Sequence, residues 1–197
     1  CHSGQAPYGV NAINYASKLI TYIEELNKEK SIKGPFDNEY EIPYSTLHTG
    51  LINGGTILNI VPNLCQFEFE IRHLAEDDPF KIIQRIHQYT EELLIKEMHK
   101  ISLKTNISIN EKLNYPGLDI SESIEPVKQV KEILNNSNHK KVIFGTEGGL
   151  FKKELNIPTI VCGPGSIDQA HKPDEYISIQ QIEKGGIFID KLINNYS

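Results

Sequence analysis

Residues 65–72 have the sequence CQFEFEIR, and their strict alternation decides how the first half of the chain folds. Cys65, Phe67, Phe69 and Ile71 are apolar, and a polar or charged residue follows each of them. Because successive side chains of a strand point to opposite faces, this period of two predicts a half-buried strand. The first half of the chain is therefore expected to contain a sheet with one covered face.

The residues before this strand predict one long helix and two short strands. Apolar residues recur at three- and four-residue steps over 10–30, which predicts an amphipathic helix that Gly34-Pro35 closes. Residues 46–51 and 57–61 are expected to be short strands, separated by the Asn53-Gly54-Gly55 turn.

The residues after this strand predict a second helix and a further strand. Asp78-Pro79 is a helix start, and the helix is expected to run to about His99. Its buried side is expected to contain Phe80, Ile82, Ile83, Ile86, Leu93 and Leu94. Residues 101–109 alternate again and predict a strand. Helices and strands in this order predict a ferredoxin-like split βαβ domain that lacks its first strand.

Beyond the turn at residues 114–117 the pattern changes to α/β units, so a domain boundary is expected near residues 109–117. The domains are then residues 1–110 and 111–197. In the second domain we expect a helix at 123–135, a strand at 141–144, a short helix ending at Leu155, a strand at 158–162 and a last helix capped by Ser178. The inward side chains of that last helix are expected to be Ile182, Ile189, Leu192 and Ile193.

Charge and cysteine content narrow the function classes. The 197 residues have a formal net charge of −6, and the lysines are scattered, which argues against binding to nucleic acid or to an anionic membrane. A small molecule or a protein is the better expectation for a partner. Cys1, Cys65 and Cys162 are far apart in sequence, and we expect reduced thiols in a cytoplasmic protein.

The ends and apolar runs of the chain give two further expectations. No apolar run approaches the roughly 20 residues that span a bilayer, and no charged-then-apolar leader opens the sequence. Residue 1 is a cysteine, and Met98 is the one methionine. We therefore expect a processed, trimmed or partial product.

Residues 163–176, GPGSIDQAHKPDEY, follow the expected strand at 158–162 and contain His171. In α/β folds, ligands bind outside the carboxyl ends of strands. A neutral imidazole there could bind zinc, with Asp168, Asp174 or Glu175 as orienting neighbours. The alternative is a loop histidine that is hydrogen-bonded to the backbone, because one histidine is not a metal site.

The loop Gly145-Thr146-Glu147-Gly148-Gly149 lies between an expected strand and a short helix, so its amides could hold an anion or a substrate carboxylate. It lacks the lysine of a P-loop, and the alternative is a glycine-rich connection. His2 and Ser3 have no acidic orienting partner nearby in sequence, which argues against serine or cysteine catalysis. By themselves, Asn59 and Arg72 are a turn asparagine and a solvated arginine.

Four stretches together resemble a known family: HSGQAPYGVNAI, GGTILNIVPNLCQFEFEIRHL, GTEGGLF and GPGSIDQAHKPDEY. In this order they resemble the M20 family of dinuclear zinc amidohydrolases, and within it the acetylornithine deacetylase branch. The resemblance covers essentially the whole chain. It implies that residues 1–110 are the lid or dimerisation domain and that residues 111–197 close the catalytic domain.

The resemblance also implies roles for individual residues. His171 would be a terminal zinc ligand, and His2 would reach the partner subunit's site to stabilise the oxyanion of the tetrahedral intermediate. Asn59 and Arg72 would bind polar groups of the substrate from the lid. The pocket lining would include Thr146, Glu147, Gly148 and Gly149.

The resemblance further implies zinc chemistry in a cytoplasmic homodimer. Two zinc ions per complete site, with cobalt as a substitute, would activate a hydroxide that attacks the acetamide of N2-acetyl-L-ornithine, yielding ornithine and acetate in arginine biosynthesis. The other metal ligands and the general base of the family lie N-terminal to the His2 motif. This chain alone is therefore expected to be inactive.

Two other functions remain open from the sequence. The same fold and metals serve succinyl-diaminopimelate desuccinylases and other M20 N-acyl-amino-acid hydrolases or dipeptidases. Alternatively, the 197 residues could act as a non-catalytic dimerisation module.

Overall fold

A computed structural model describes residues 1–170 and 172–195. The chain divides into two compact units. Unit 1 comprises residues 1–114 together with the short segment 141–143, and unit 2 comprises the remaining residues. Within unit 1, Lys141 of this segment donates a 2.7 Å hydrogen bond to Asp37.

Unit 1 begins with a short 3-10 helix, Ser3–Tyr8, followed by the long helix α1, Ala12–Lys33. The side chain of Asn11 caps α1 by accepting a 3.1 Å hydrogen bond from the Asn14 amide. One stripe of α1 is buried, formed by Ala16, Leu19, Ile23 and Leu26. The predicted amphipathic helix is thus confirmed, and it continues a few residues further than predicted.

Two antiparallel strands pack against α1: β1, Thr46–Gly54, and β2, Cys65–Arg72. In β2, half-buried and exposed side chains alternate without interruption, as the sequence predicted. The register shifts between Thr49 and Leu51, so that β1 contains a bulge. Phe67, Phe69 and Ile71 of β2 lie against the core of unit 1.

The second helical region begins at Pro79, where the Asp78 side chain accepts a hydrogen bond from the Phe80 amide. It consists of α2, Pro79–Tyr89, a π-helical turn, Thr90–Ile95, and α3, Lys96–His99. Its buried face is a stripe at four-residue spacing, formed by Ile82, Ile86, Thr90, Leu94 and Met98.

The π turn corrects part of the predicted buried face. Leu93 is 44% exposed, whereas Leu94 is fully buried. A π turn contains more residues than an α turn, so the chain rotates less per residue, and residue 94 replaces residue 93 on the inner face. Phe80 was also predicted to be buried and is 66% exposed, because it lies at the first turn of the helix.

The core of unit 1 lies between α1, the hairpin and α2. Its fully buried members are Leu19, Ile23, Leu26, Leu47, Ile82, Ile86 and Leu94. An ion pair and an aromatic stack join α1 to α2 beside this core. The Arg85 guanidinium forms two hydrogen bonds to the Glu29 carboxylate, at 3.0 and 2.9 Å. The rings of Tyr22 and Tyr89 stack with centroids 4.0 Å apart.

Two strands predicted in unit 1 do not form in the described structure. Residues 57–61 make a turn that the Ile60 amide closes on the Ile57 carbonyl at 3.3 Å. Residues 101–109 place Ile107 and Ile109 against the core but belong to no ladder. Ile107 and Ile109 thus face the core as the alternating pattern predicted, yet a strand also needs a hydrogen-bonding neighbour. Among the described residues the sheet has two strands, and the mixed α/β fold class is confirmed.

The described residues of unit 2 form three α-helices: α4, Glu125–Leu134, α5, Gly148–Leu155, and α6, Ile179–Asn195. A short 3-10 helix, Ile167–Gln169, precedes α6. All three predicted helices are confirmed, and the Ser178 hydroxyl accepts a 3.3 Å hydrogen bond from the Gln181 amide. No helix among the described residues is long and apolar enough to cross a membrane.

Two predictions for unit 2 are wrong. Residues 141–144 and 158–162 are not strands, because the described chain places no hydrogen-bonding strand beside either segment. The α6 residues Ile182, Ile189 and Ile193 are exposed rather than inward-facing, at 54%, 54% and 57%. Leu192 is half-buried.

Candidate functional site

The N-terminal segment brings together two of the predicted site residues, His2 and Asn59. His2 and Ile60 form an isolated antiparallel bridge. On either side of it, the Ser3 amide donates to the Asn59 carbonyl and the Val61 amide donates to the Cys1 carbonyl, each at 2.9 Å. Residues that lie far apart in sequence are thus neighbours at the end of the β1–β2 hairpin.

The His2 ring has a defined hydrogen-bond partner. Its Nδ1 accepts a 3.0 Å hydrogen bond from the Gly4 amide and so caps the 3-10 helix that follows. The residue is exposed. Because Nδ1 is used as an acceptor, the neutral ring carries its proton on Nε2 and can donate that proton to an oxygen atom outside the segment.

The structure places Arg72 away from this pair. Arg72 lies opposite Thr46 at the far end of the eight-residue β2, about 23 Å from Cys65 at 3.3 Å per residue. Its guanidinium forms a 2.9 Å ion pair with Glu70 on the same strand, and both side chains are about half exposed. Within one chain, Arg72 is therefore not brought to His2 and Asn59.

In unit 2, the loop at residues 145–149 leads directly into α5. The Gly148 amide donates a 3.2 Å hydrogen bond to the Thr146 hydroxyl, and Glu147 is exposed. Gly149 is buried, and a Cβ atom there would lie 1.9 Å from the Pro116 carbonyl oxygen. Close packing thus explains the glycine at position 149, and the pocket-lining role of the loop stays a prediction.

A cleft of about 490 Å³ lies where the segment 158–162 leads into Gly163-Pro164-Gly165. Its apolar walls include Phe144, Val161 and Tyr176, and Glu175 is the one carboxylate in the described lining. Phe144 also precedes the loop at 145–149, and Thr159 lies beside Gly148. The two stretches of unit 2 that the sequence singled out are therefore neighbours.

Shifted pKa values occur mainly in ion pairs away from the described cleft. Hydrogen bonds lower the pKa of three carboxyl groups: Glu29 beside Arg85, Asp37 beside Lys141, and Glu122 beside Lys131. These three carboxylates form ion pairs and do not line the described cleft. Burial raises the pKa of the Cys65 and Cys162 thiols, and Cys162 lies between the cleft-lining residues Val161 and Gly163. A raised pKa disfavours the thiolate, so the cleft is defined by its geometry.

Comparison with known proteins supplies the family. Residues 1–98 match the M20_dimer family model, described as the peptidase dimerisation domain. This part of the chain is an M20 peptidase dimerisation domain. The whole chain is also similar to curated proteins, since it is 30% identical over 99% of its length to the acetylornithine deacetylase of Buchnera aphidicola subsp. Acyrthosiphon pisum, of which it covers 49%.

Two further relatives have the same name as the Buchnera protein. The acetylornithine deacetylases of Pasteurella multocida and Proteus mirabilis are 28% and 29% identical to this chain over 99% of its length. The chain covers 49% and 48% of those proteins, so it spans about half the length of the curated relatives that it matches.

A solved structure supports the fold. The crystal structure of aminopeptidase PepT from Bacillus cereus matches 96% of this chain with a TM-score of 0.68, and the match covers 46% of PepT. At 22% sequence identity this likeness shows the fold alone. The match includes residues on both sides of the M20 dimerisation domain's end at residue 98.

The described cleft does not by itself fit two zinc ions. Zinc in proteins takes about four N, O or S ligands, at least three of them from the protein. The described lining offers the Glu175 carboxylate, and the nearby Asp168 carboxylate accepts a 3.1 Å hydrogen bond from the Ser166 hydroxyl. His171, the predicted ligand, lies outside the described residues.

Sequence reasoning missed the apolar wall of the cleft. Phe144 and Tyr176 line it together, although the first ends one expected strand and the second lies beyond the Gly163-Pro164-Gly165 turn. Neither residue belongs to a periodic pattern, so local sequence contains no signal that pairs them.

Proposed function

We propose that this chain is the dimerisation domain and the closing catalytic part of an acetylornithine deacetylase that makes ornithine and acetate in arginine biosynthesis. The M20 match relates this chain to a hydrolase family, and the identity of the substrate is what we propose. The proposed substrate is supported by the 30% identity to a curated acetylornithine deacetylase. This similarity extends over 99% of the chain rather than over the dimerisation domain alone.

We propose binding roles for residues of each unit. In unit 1, His2 presents an Nε2–H donor that suits the carbonyl oxygen of an N-acyl amino acid. We propose that Asn59, whose backbone carbonyl accepts from Ser3, binds a polar group of the substrate. In unit 2, the cleft beside Gly163-Pro164-Gly165 is wide enough for an amino-acid-sized ligand. Arg72 and the loop at 145–149 are proposed to bind the substrate's polar groups.

M20 peptidases are in general metal-dependent, and we propose zinc for this protein, with cobalt as a substitute. His171 is the residue of this chain that we propose as a ligand. When bound, such an ion supplies a Lewis acid and an activated water. Because the described cleft lining cannot complete two sites, the chain by itself is proposed to be inactive.

We further propose a cytoplasmic homodimer that forms through residues 1–98. The support is the family's own description of this region as a dimerisation domain. The formal charge of −6 and the scattered lysines favour a small-molecule substrate over nucleic acid or membrane.

The decisive experiment is an assay of the intact protein that contains this chain against a panel of N-acyl amino acids. Release of ornithine from N2-acetyl-L-ornithine should proceed with the highest kcat/KM. A matched His2→Ala variant should lose activity toward every substrate that the parent accepts. A preference for N-succinyl-diaminopimelate or for a di- or tripeptide would contradict the proposed substrate.

Peptide hydrolysis is the second candidate, and the peptidase description of the matching family favours it. A dipeptide or tripeptide has a free amino group close to the scissile bond, whereas N2-acetyl-L-ornithine has an acetyl group there. Competition between the two substrate classes on one enzyme preparation separates the candidates without any change of protein.

A non-catalytic dimerisation module is the third reading. It predicts that the intact protein binds no metal tightly and cleaves none of the panel, while still forming dimers. Zinc analysis of the intact protein before and after His171→Ala tests this directly. Two ions in the parent and fewer in the variant would contradict the module reading.

A further inference from the structure

We infer that the backbone amide of Gly4 is a positioning group that holds the His2 imidazole as the Nε2–H tautomer. This is the tautomer that the donor role given to His2 under the proposed function requires. The tautomer inference rests on the geometry of unit 1 alone, whereas the donor role rests on the proposed function.

The hydrogen bond from the Gly4 amide constrains the protonation of the His2 ring. An amide nitrogen can only donate, so the 3.0 Å contact between the Gly4 amide and Nδ1 requires an unprotonated Nδ1. A neutral imidazole has one N–H group, which must then be on Nε2. The Gly4 amide thus selects one of two tautomers that an unconstrained imidazole exchanges between.

The His2 ring lies directly over the Gly4 backbone. A Cβ atom built on Gly4 would lie 3.3 Å from Nδ1 and 3.8 Å from Cε1 of His2. A methyl group at position 4 therefore fits after a shift of a few tenths of an ångström, whereas a larger side chain would crowd the ring.

The backbone of His2 is also held in place. The bridge to Ile60 and the hydrogen bond from Ser3 to the Asn59 carbonyl hold the segment against the end of the hairpin. Because both the backbone and the Nδ1 atom are anchored, the exposed Nε2–H has few orientations. A donor that is oriented in advance stabilises a developing oxyanion without reorganisation.

The consequence is chemical. With Nδ1 occupied by an N–H group and Nε2 protonated, neutral His2 has no free lone pair with which to accept a proton. It can donate a hydrogen bond to a carbonyl oxygen, and it cannot act as the general base for water. The acyl oxygen of an N-acyl amino acid is the group that such a donor suits.

The tautomer is tested by 15N NMR on the 197-residue chain with labelled histidine, at alkaline pH where imidazole is neutral. The chain has seven histidines, and the His2→Gln spectrum identifies the His2 resonances by difference. We expect an unprotonated Nδ1 and a protonated Nε2. A protonated Nδ1, or an even mixture of the two tautomers, would overturn the inference.

Two variants at position 4 sharpen this measurement. Gly4→Pro removes the amide hydrogen at a position in the first helical turn, where proline is tolerated. Its His2 15N shifts should move toward the average of exchanging tautomers. Gly4→Ala keeps the amide and should keep the parent tautomer. If both variants give the parent shifts, the Gly4 amide does not select the tautomer.

The donor role is tested on the intact enzyme with two amide substitutions. The side-chain nitrogen of glutamine reaches the position of Nε2, whereas that of asparagine reaches only the position of Nδ1. His2→Asn should lose about 10²–10³-fold in kcat, as for removal of an oxyanion donor, and His2→Gln should keep at least about ten-fold more. Equal losses in both would show that His2 does more than donate.

The tautomer inference and the donor role can be contradicted separately. If the NMR shows the Nε2–H tautomer while the Gln and Asn variants are equally inactive, the tautomer inference stands and the donor role falls. If N2-acetyl-L-ornithine is not hydrolysed at all, the proposed function falls, and the NMR result still decides the role of Gly4.

Discussion

Helices α1 and α6 are both amphipathic, yet α1 buries four side chains and α6 buries none. Of the apolar residues that are buried in the described chain, all but Ile133 lie in unit 1. In unit 1 the hairpin and α2 cover the apolar stripe of α1. An amphipathic pattern thus defines which face of a helix is apolar, whereas burial depends on an opposing layer.

The largest loss of stability should come from a large-to-small substitution in the core of unit 1. Ile86 is 0% exposed, and Ile86→Ala should lower the free energy of unfolding by about 2–5 kcal/mol, from lost burial and the cavity left behind. Ile189 of α6 is 54% exposed, so the matched Ile189→Ala should cost less than about 1 kcal/mol. Urea unfolding measures both. Equal losses would show that α6 is covered as well as α2.

The next effect should come from the buried ion pair between Lys30 and Asp77. Their atoms are 2.6 Å apart, and the side chains are 15% and 8% exposed. Lys30→Met leaves a buried carboxylate without its partner and should cost about 3 kcal/mol.

Lys18→Met is the matched control, because Lys18 lies on the same helix as Lys30 and forms an exposed ion pair with Glu97. Its loss should cost less than about 1 kcal/mol. Thermal unfolding of both variants gives the difference. A Lys30→Met protein as stable as the parent would show that water reaches Asp77.

A third effect tests whether unit 2 has tight packing of its own. Gly149→Ala places a methyl group against the Pro116 carbonyl and should destabilise unit 2 by about 1–3 kcal/mol. Gly186→Ala lies in α6 with open space around it and should stabilise the helix by up to about 1 kcal/mol. Limited proteolysis of the 115–140 and 144–155 regions reports the change. Opposite signs are expected, and a tolerated Gly149→Ala would contradict the close packing.

The smallest effect should be a pH dependence of unit 1. The hydrogen bonds from Arg85 hold the pKa of the Glu29 carboxyl below its ordinary value of about 4.3. The stability from this pair is complete above that ordinary pKa and is lost as the pH falls through the lower folded-state pKa. Because the side chains are one third to nearly one half exposed, we expect less than about 1 kcal/mol.

Glu29→Gln should flatten the acid side of the stability curve of unit 1. Urea unfolding at a series of pH values from neutral downward measures this change. An unchanged acid slope in the variant would show that other carboxylates, such as Asp37 beside Lys141, dominate the acid response.

Much of the fold was predictable because its signals are local. The alternation in β2 and the proline-led start of α2 are features of short segments, and both were confirmed. The strands expected at 57–61, 141–144 and 158–162 failed for a common reason. Each is apolar enough for a strand, but a ladder needs a second segment that local sequence cannot supply.

The candidate site was predictable in part. His2 and Asn59 were each selected from the family resemblance, and their placement beside each other follows only from the bridge between His2 and Ile60. Arg72 was selected in the same way, yet the length of β2 keeps it at the other end of the hairpin. The aromatic wall of the cleft had no sequence signal.

The sequence by itself determined the family, the helix positions and the half-buried strand, because these depend on residue type and spacing within short windows. Only the tertiary structure decided which apolar faces are covered, that the π turn makes Leu94 rather than Leu93 the inner residue, and that the Gly4 amide donates to Nδ1 of His2. These features depend on distances of a few ångströms between atoms, and such distances are set by packing and hydrogen bonding in three dimensions.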